Sequence, residues 1–261
     1  MTTVDKALNL LGFFSLNRPE WGLSDLARNA ALDKATALRL LRSMQRHELI
    51  EQDPETRRFR LGKAFLTLAR VREQSFPLAS IVSKWLGHLA LETGETAHAS
   101  LATERAMTTI GISEPKRSAR VHVDPSQPLP FHATDSGLAC LAFGPERRRE
   151  AVLSGGGLHR HAAMTETDPG RVRARLEQVR QSGYATGEQT FEDEVTGIAV
   201  PFFDGSGLAQ GAIAVATPTM RLTPALQQKI RTCLMRTSLE LAVSLGSTLP
   251  AGFAAIAEEY R

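Results

Sequence analysis

Residues 23–61 read LSDLARNAALDKATALRLLRSMQRHELIEQDPETRRFRL, and the order of segments within them decides the fold of the N-terminal part. A short amphipathic segment, a tight connection, a longer amphipathic segment and a basic hairpin follow one another without spare residues. In the longer segment Ala37, Leu40, Leu41 and Met44 stand at i, i+3, i+4 and i+7, so they share one helix face. That face is expected to bury against Leu23, Leu26 and Ala27 and against a first helix over Val4–Leu16. In the first helix Val4, Ala7, Leu8, Leu11 and Phe13 or Phe14 are expected to turn inward. Asp33 is placed to cap the longer helix, because its carboxylate can accept from the first free backbone N–H groups.

The opposite face carries Lys34, Ala35, Thr36, Leu38, Arg39 and Arg42. Cations and small side chains on an exposed helix suit phosphate and base-edge contact in a major groove. Taken alone, an ordinary amphipathic helix with a solvated basic face would look the same; its neighbours decide the matter. Leu49–Glu51 and Phe59–Leu61 are short extended runs, joined by Asp53-Pro54-Glu55-Thr56, which is turn chemistry. The resulting hairpin carries Arg57, Arg58 and Arg60. Helix, turn, helix and basic hairpin in that order predict a winged helix-turn-helix, with the hairpin touching backbone phosphate or a minor groove. Arg39 and Arg42 are the candidates for base or phosphate contact, Lys34 and Thr36 for phosphate, and Leu38 for a thymine methyl.

Charge follows the same division. Residues 1–72 hold 13 Lys and Arg against 8 Asp and Glu, a net of +5, while the rest holds 18 against 20. The overall +3 therefore sits on the candidate DNA reader. At 261 residues and 42% hydrophobic content, the chain is long enough for two domains with a sizeable core. Two cysteines, Cys140 and Cys233, exclude a disulfide scaffold or a cysteine-rich zinc site and predict buried thiols. No run is apolar enough to span a bilayer, and the N-terminus has an amphipathic helix where a signal peptide would have an apolar one. A cytoplasmic protein is expected.

Beyond the hairpin, residues 62–76 predict a linker helix that Pro77 interrupts. Residues 77–250 then alternate helices and strands, with several strands joined by hairpins. Helices are expected over 78–93, 134–143, 146–153, 169–181 and 224–245, and strands at 97–103, 107–113, 120–123, from 184, 195–203 and 208–216. Gly155-Gly156-Gly157 reads as a break, and 251–261 as a tail with modest helical potential. The class is α+β, with a mainly antiparallel sheet flanked by helices in the second domain.

The chain resembles the IclR family of bacterial transcriptional regulators over about residues 4–246. The resemblance rests on VDKALNLL, LSDLARNAALDKATALRLLRSM and LIEQDPETRRFRLG in the reader. In the second domain it rests on LETGETAHASLA, LPFHATDSGLACLAF, RQSGYATGE, IAVPFFD and GAIAVATPTMRLT. It implies a linker helix leading to a GAF-like effector-binding domain. It also implies a homodimer, often paired into a dimer of dimers, on double-stranded operator DNA. It places a small-molecule pocket at Ser118, Val121, Leu129, Asp135 and Ser136, at Gly187 and Glu188, and on a floor of Gly197, Ala214 and Ala216.

The chain departs from the family pattern at several of these places. Many members carry cysteine where Gly197 stands, hydroxyls at Ala214 and Ala216, glycine at Glu194 and, in HAT-x-x-GKA, lysine at Leu138. A small carboxylate needs several donors, and these replacements remove them. A roomier, more apolar site fits a larger, partly aromatic effector, with Asp135, Glu188, Glu192 and Glu194 able to accept from its hydroxyl or amine groups.

Other signals fall away. His132, His159 and His161 lack metal-ligand spacing, and no metal or cofactor is expected. Gly205-Ser206-Gly207 lies between strands with no following helix, so it reads as a hairpin turn and not a phosphate loop. No catalytic triad has a local signature. The expected function is a DNA-binding transcriptional regulator governed by an effector, a catabolic substrate or intermediate with aromatics among the candidates, and not an enzyme. The alternative is a metabolite-binding protein or enzyme whose winged helix is a protein-interaction module.

Overall fold

Thr2 and Asp5 cap each other's backbone N–H groups, and this capping box fixes the start of α1 (Thr3–Leu11). The structure, a computed structural model, describes residues 2–75, 77–154 and 156–260. Phe76 of the expected linker helix, Gly155 of the expected glycine break and Arg261 of the expected tail lie outside the described residues. Two compact units divide between Pro77 and Leu78.

In the first unit α1 stops at Leu11, five residues short of the expected end, and turns a different face inward. Leu10 is fully buried with Ala7 and Leu11 beside it, while Val4 and Leu8, expected inside, are exposed. The early stop at Gly12 releases Phe13 from the helix, and its ring meets Trp21 edge-on at 5.9 Å. Trp21 belongs to a two-residue strand that the sequence reading did not foresee, β1 (Glu20–Trp21). Its indole N–H donates to the Phe13 carbonyl at 2.8 Å, and the Arg18 guanidinium lies 3.3 Å above the ring.

α2 (Leu23–Asn29) and α3 (Lys34–Arg46) form the helix pair as expected. Asp33 caps α3 by accepting from Thr36 N–H at 2.8 Å, and Ala37, Leu40, Leu41 and Met44 are its buried face. β2 (Ile50–Gln52) and β3 (Phe59–Leu61) make the wing, with β1 added on the far side of β3. One core joins Leu10, Trp21, Leu26, Leu40, Leu41, Met44, Ile50 and Phe59.

Gly62 locks the wing to α3. Its N–H donates to the Leu49 carbonyl at 2.9 Å, and a Cβ there would collide with the Glu48 carbonyl. Gly62→Ala is expected to destabilise this unit by about 1–3 kcal/mol through forced backbone movement, read as a lower denaturant midpoint. α4 (Ala64–Ser75) follows, with Leu66, Leu68 and Val71 exposed.

In the second unit the sheet order is β5-β4-β8-β7-β6, with every neighbouring pair antiparallel. The strands are β4 (Thr96–Ala102), β5 (Met107–Ser113), β6 (Ala185–Glu188), β7 (Val195–Phe203) and β8 (Ala209–Pro218). The extended run expected at 120–123 is a loop and pairs with none of them. α5 (Leu78–Thr93) and α9 (Pro224–Leu245) pack together over one face. α6 (Asp135–Phe143), backed by α8 (Pro169–Ser182), covers the other, and α7 (Glu146–Ser154) joins them. Alternation along β4 fixes the faces: Gly111, opposite Ala99, approaches Leu86 of α5, so His98 points toward α6.

The expected tail is α10 (Ala251–Glu258), and it belongs to the core. Phe253 is fully buried and packs edge-on against Phe143 and Phe203 at 5.4 and 4.9 Å. Ala251, Gly252, Ala254 and Ala255 flank it, so its period was weak, but one phenylalanine anchors the helix. Cys140 and Cys233 are buried and free, and burial pushes the Cys140 thiol up to about 12. Among the described residues no helix is long and apolar enough to cross a membrane.

Candidate functional site

Two sites emerge, one in each unit. In the first, α3 presents Lys34, Ala35, Arg39 and Arg42 to solvent. Thr36 is half-buried, its backbone N–H held by the Asp33 cap. Leu38, expected on the exposed face, is also half-buried and packs against the core formed by Trp21, Leu26 and Phe59. It lines a shallow hollow with Arg42, Gln52, Thr56 and Arg57, which leaves its side chain little reach toward a base. Its position one residue from Ala37 places it at the edge of the buried stripe, not opposite it.

The wing tip is built around Asp53. Its Oδ1 accepts from the N–H groups of Glu55 and Thr56 at 3.0 and 2.7 Å and from the Thr56 hydroxyl at 2.9 Å. Arg57 is held at φ +59° by its N–H to the Asp53 carbonyl and by the Gln52 amide on its own carbonyl. Arg57 and Arg58 are exposed and, like Arg39 and Arg42, have no carboxylate partner among the described residues. Arg60 differs. Paired across the sheet with both Glu20 and Glu51, it donates from Nε to Glu51 Oε1 at 2.6 Å and lies 3.9 Å from Glu20. The strand missed in the sequence supplies Glu20, so Arg60 holds the wing together and is not one of the free cations.

In the second unit a cavity opens between the sheet, the N-terminus of α6 and two loops. Its empty space is about 560 Å³, open mouth included. Gly197 and Ala216 form the floor beside His98, with Val121 and Leu129 on one wall, Gly187, Thr190 and Phe191 on the other, and Asp135 at the head of α6. Six residues expected to line a pocket do so together: Val121, Leu129, Asp135, Gly187, Gly197 and Ala216. Four do not line it. Ser118 and Glu188 are exposed, and Ser136 and Ala214 are buried beneath the lining. Gly187 and Glu188 are neighbours on one strand, so only one can face inward.

Sequence reasoning missed His98, Thr190 and Phe191 as lining residues, and Glu192, one of the acids it offered as an acceptor, is exposed at the mouth. His98 lies on β4, one strand in from the sheet edge, 5% exposed, with Nε2 3.4 Å from Ser136 Oγ and Nδ1 without a partner. Burial pushes it down to about 4, so it is neutral at physiological pH. Burial raises Asp135 to about 6, and its Oδ2 also lacks a partner. The carboxyl rests on Gly197, where any Cβ would strike both of its oxygens. Asp135 thus occupies the room that a side chain at 197 would need. Glu194, in place of the family glycine, adopts φ +61°, the left-handed region glycine favours. Leu138 is buried in the core, away from the cavity.

The loop wall is tied down by buried charge. Glu95, 1% exposed at its side chain, accepts two hydrogen bonds of 2.6 Å from Arg221 and lies 3.4 Å from Arg117. Arg221 also donates to the Ala119 carbonyl at 3.1 Å, and Thr96 to that of Val121 at 2.7 Å. Among the described residues no group of three or more metal-ligating side chains comes together.

Residues 3–54 match the IclR helix-turn-helix domain, and residues 72–243 match the bacterial transcriptional regulator IclR C-terminal family. The HTH-type transcriptional regulator XynR of Escherichia coli K12 is 28% identical over 244 residues, 94% of this chain and 97% of its own. A solved chain from Silicibacter sp. TM1040, assigned to the IclR transcriptional regulators, is 38% identical with a TM-score of 0.90, covering 97% of this chain and 99% of its own. An IclR homologue from Microbacterium hydrocarbonoxydans, solved with 4-hydroxybenzoate, has the same fold at 24% identity and a TM-score of 0.77, covering 93% of this chain and all of its own. A winged helix-turn-helix with a basic face, a second unit built on an antiparallel sheet and matches along both units converge: the chain belongs to the IclR family of bacterial transcriptional regulators.

Proposed function

We propose that this DNA-binding regulator grips its operator through α3 and the wing tip, and that a small molecule in the cavity of the second unit governs the grip. The observation that carries the first part is the set of unpaired arginines, Arg39 and Arg42 on α3 and Arg57 and Arg58 on the hairpin. Side chains already committed to carboxylates, as Arg60 is, cannot supply a phosphate without losing a partner. Lys34 and Thr36, at the start of α3, hold backbone phosphate through their ammonium and hydroxyl groups, since the Asp33 cap already takes the Thr36 N–H.

The protein acts as a homodimer in the cytoplasm, with a dimer of dimers as its larger form, so two readers meet a two-fold operator. Exposed Val4 and Leu8 on α1 and Leu66, Leu68 and Val71 on α4 give the first unit an apolar surface for a second copy to cover. The effector is a catabolic substrate or intermediate with an aromatic body, set against Val121, Leu129 and Phe191. Its hold on DNA follows only if it binds two arrangements of the protein with different affinity. The 4-hydroxybenzoate held by the Microbacterium homologue is consistent with an aromatic body.

Binding to duplex DNA at increasing salt is the test. With six to ten phosphate contacts per dimer, affinity is expected to fall about 10³–10⁵-fold between 50 and 200 mM salt. An absence of duplex binding at low salt would overturn the reading and leave the winged helix as a protein-interaction module.

A further inference from the structure

The two enclosed polar atoms left without a partner at the cavity belong to Asp135 and His98, while His122, Gln127 and Thr190 also line it. Asp135 offers a carboxylate whose Oδ2 is enclosed and unpartnered. His98, nine-tenths buried, offers Nδ1, also unpartnered; with its proton on Nε2 toward Ser136, Nδ1 is a lone-pair acceptor. Thr134 is already spent, its hydroxyl donating to Pro130 O and accepting from Gly137 N–H. Among the described residues no lysine or arginine lines the cavity, and Asp124 and Glu192 add two carboxylates toward its mouth. A buried acceptor without a donor is costly, and a buried carboxylate without a cation more so. The missing groups must come from whatever enters.

We propose that the effector carries a protonated amine, which enters the cavity head first and donates to Asp135 and His98 while its apolar body lies against Phe191, Val121 and Leu129. This inference rests on the reading of the cavity as the effector site and adds the chemical class of the ligand. An ammonium has up to three donors and a full charge, which suits one carboxylate and one neutral imidazole. A carboxylate ligand would instead meet three acids and no fixed cation. Gly197 is part of the device, because its missing side chain lets the Asp135 carboxyl lie on the floor.

The pH dependence of binding separates the ligand classes by sign. Asp135 titrates near 6 in the empty cavity, and an ammonium binds the ionised form. Amine affinity is therefore full above that pH and falls, by about tenfold per unit, below it. A carboxylate would show the reverse, gaining as Asp135 takes up a proton. The other titratable groups around the cavity are His98, neutral down to about 4, Asp124, held low by Ser126, Glu192, raised by desolvation at the mouth, and His122, which contacts Glu114.

Calorimetric titration of the full chain with benzylamine, benzyl alcohol and benzoate, at pH 7.5 and at pH 5, is the experiment. Benzylamine is expected to bind about tenfold or more tighter than the other two at pH 7.5, as a charge-assisted bond implies, and to lose that advantage at pH 5. Asp135→Asn is expected to remove the preference for benzylamine while leaving benzyl alcohol little changed. The pH comparison on the unaltered protein stands even if that variant misfolds. Preference for benzoate at pH 7.5, or an amine preference unchanged at pH 5, overturns the proposal and leaves the cavity as an effector site. Failure of all three probes to bind overturns the cavity reading and the proposal together.

Discussion

Arg39→Ala is expected to weaken specific operator binding by about 30-fold or more. A guanidinium set bidentate on a base edge contributes about 1–3 kcal/mol, and a two-fold complex loses it twice. The fold should be untouched, because Arg39 is exposed and bears on neither the Asp33 cap nor the buried stripe of Ala37, Leu40, Leu41 and Met44. Arg42 lies beside the hollow that leads to the wing, with Gln52, Thr56 and Arg57. Arg42→Ala is expected to weaken specific and random duplexes alike, and to make binding less steeply dependent on salt. Mobility-shift titrations of both variants on operator and scrambled DNA, with thermal melts alongside, distinguish base from phosphate contact. Unchanged affinity in Arg39→Ala would show that α3 is not the helix that reads the groove.

Glu95→Ala is expected to lower the unfolding free energy of the second unit by about 3–5 kcal/mol, the usual cost of removing one partner from a buried ion pair. For a unit of this size that corresponds to a fall of roughly 10 °C in Tm. The side chain is almost wholly enclosed, and both of its oxygens are taken by Arg221. Removing it also frees the guanidinium that holds the Ala119 carbonyl, so the cavity wall at Val121 loosens along with the fold. Differential scanning calorimetry of the full chain reads the first effect, and benzylamine affinity the second. Added salt should not reproduce the loss, since screening reaches buried pairs weakly. A variant that melts within about 2 °C of the parent would mean that the pair only offsets its own desolvation.

The reader was legible in the sequence wherever a period had room to repeat. Thirteen residues of α3 hold nearly four turns, enough for its buried stripe and its Asp33 cap to declare themselves. β1 holds two residues, too few for any alternation, and the acid it places beside Arg60 was invisible with it. In the second unit, strand runs rich in alanine and valine were clear. Which face each side chain takes depended on a sheet order that no single strand carries. Gly187 and Glu188, or Asp135 and Ser136, are adjacent in sequence and part company in space. His98 needed the pairing of β4 with β8 before it could be placed above the floor. Phe191 sits in a loop, where no period exists to read.

The position of Phe253 affects how the protein is made. The first unit is complete by Pro77, but the aromatic cluster under α10 cannot close until residue 253 has been synthesised. At 5–20 residues per second, the ribosome needs about 10–35 s to cover that distance. Each nascent chain therefore carries a completed winged helix-turn-helix well before the second unit can fold.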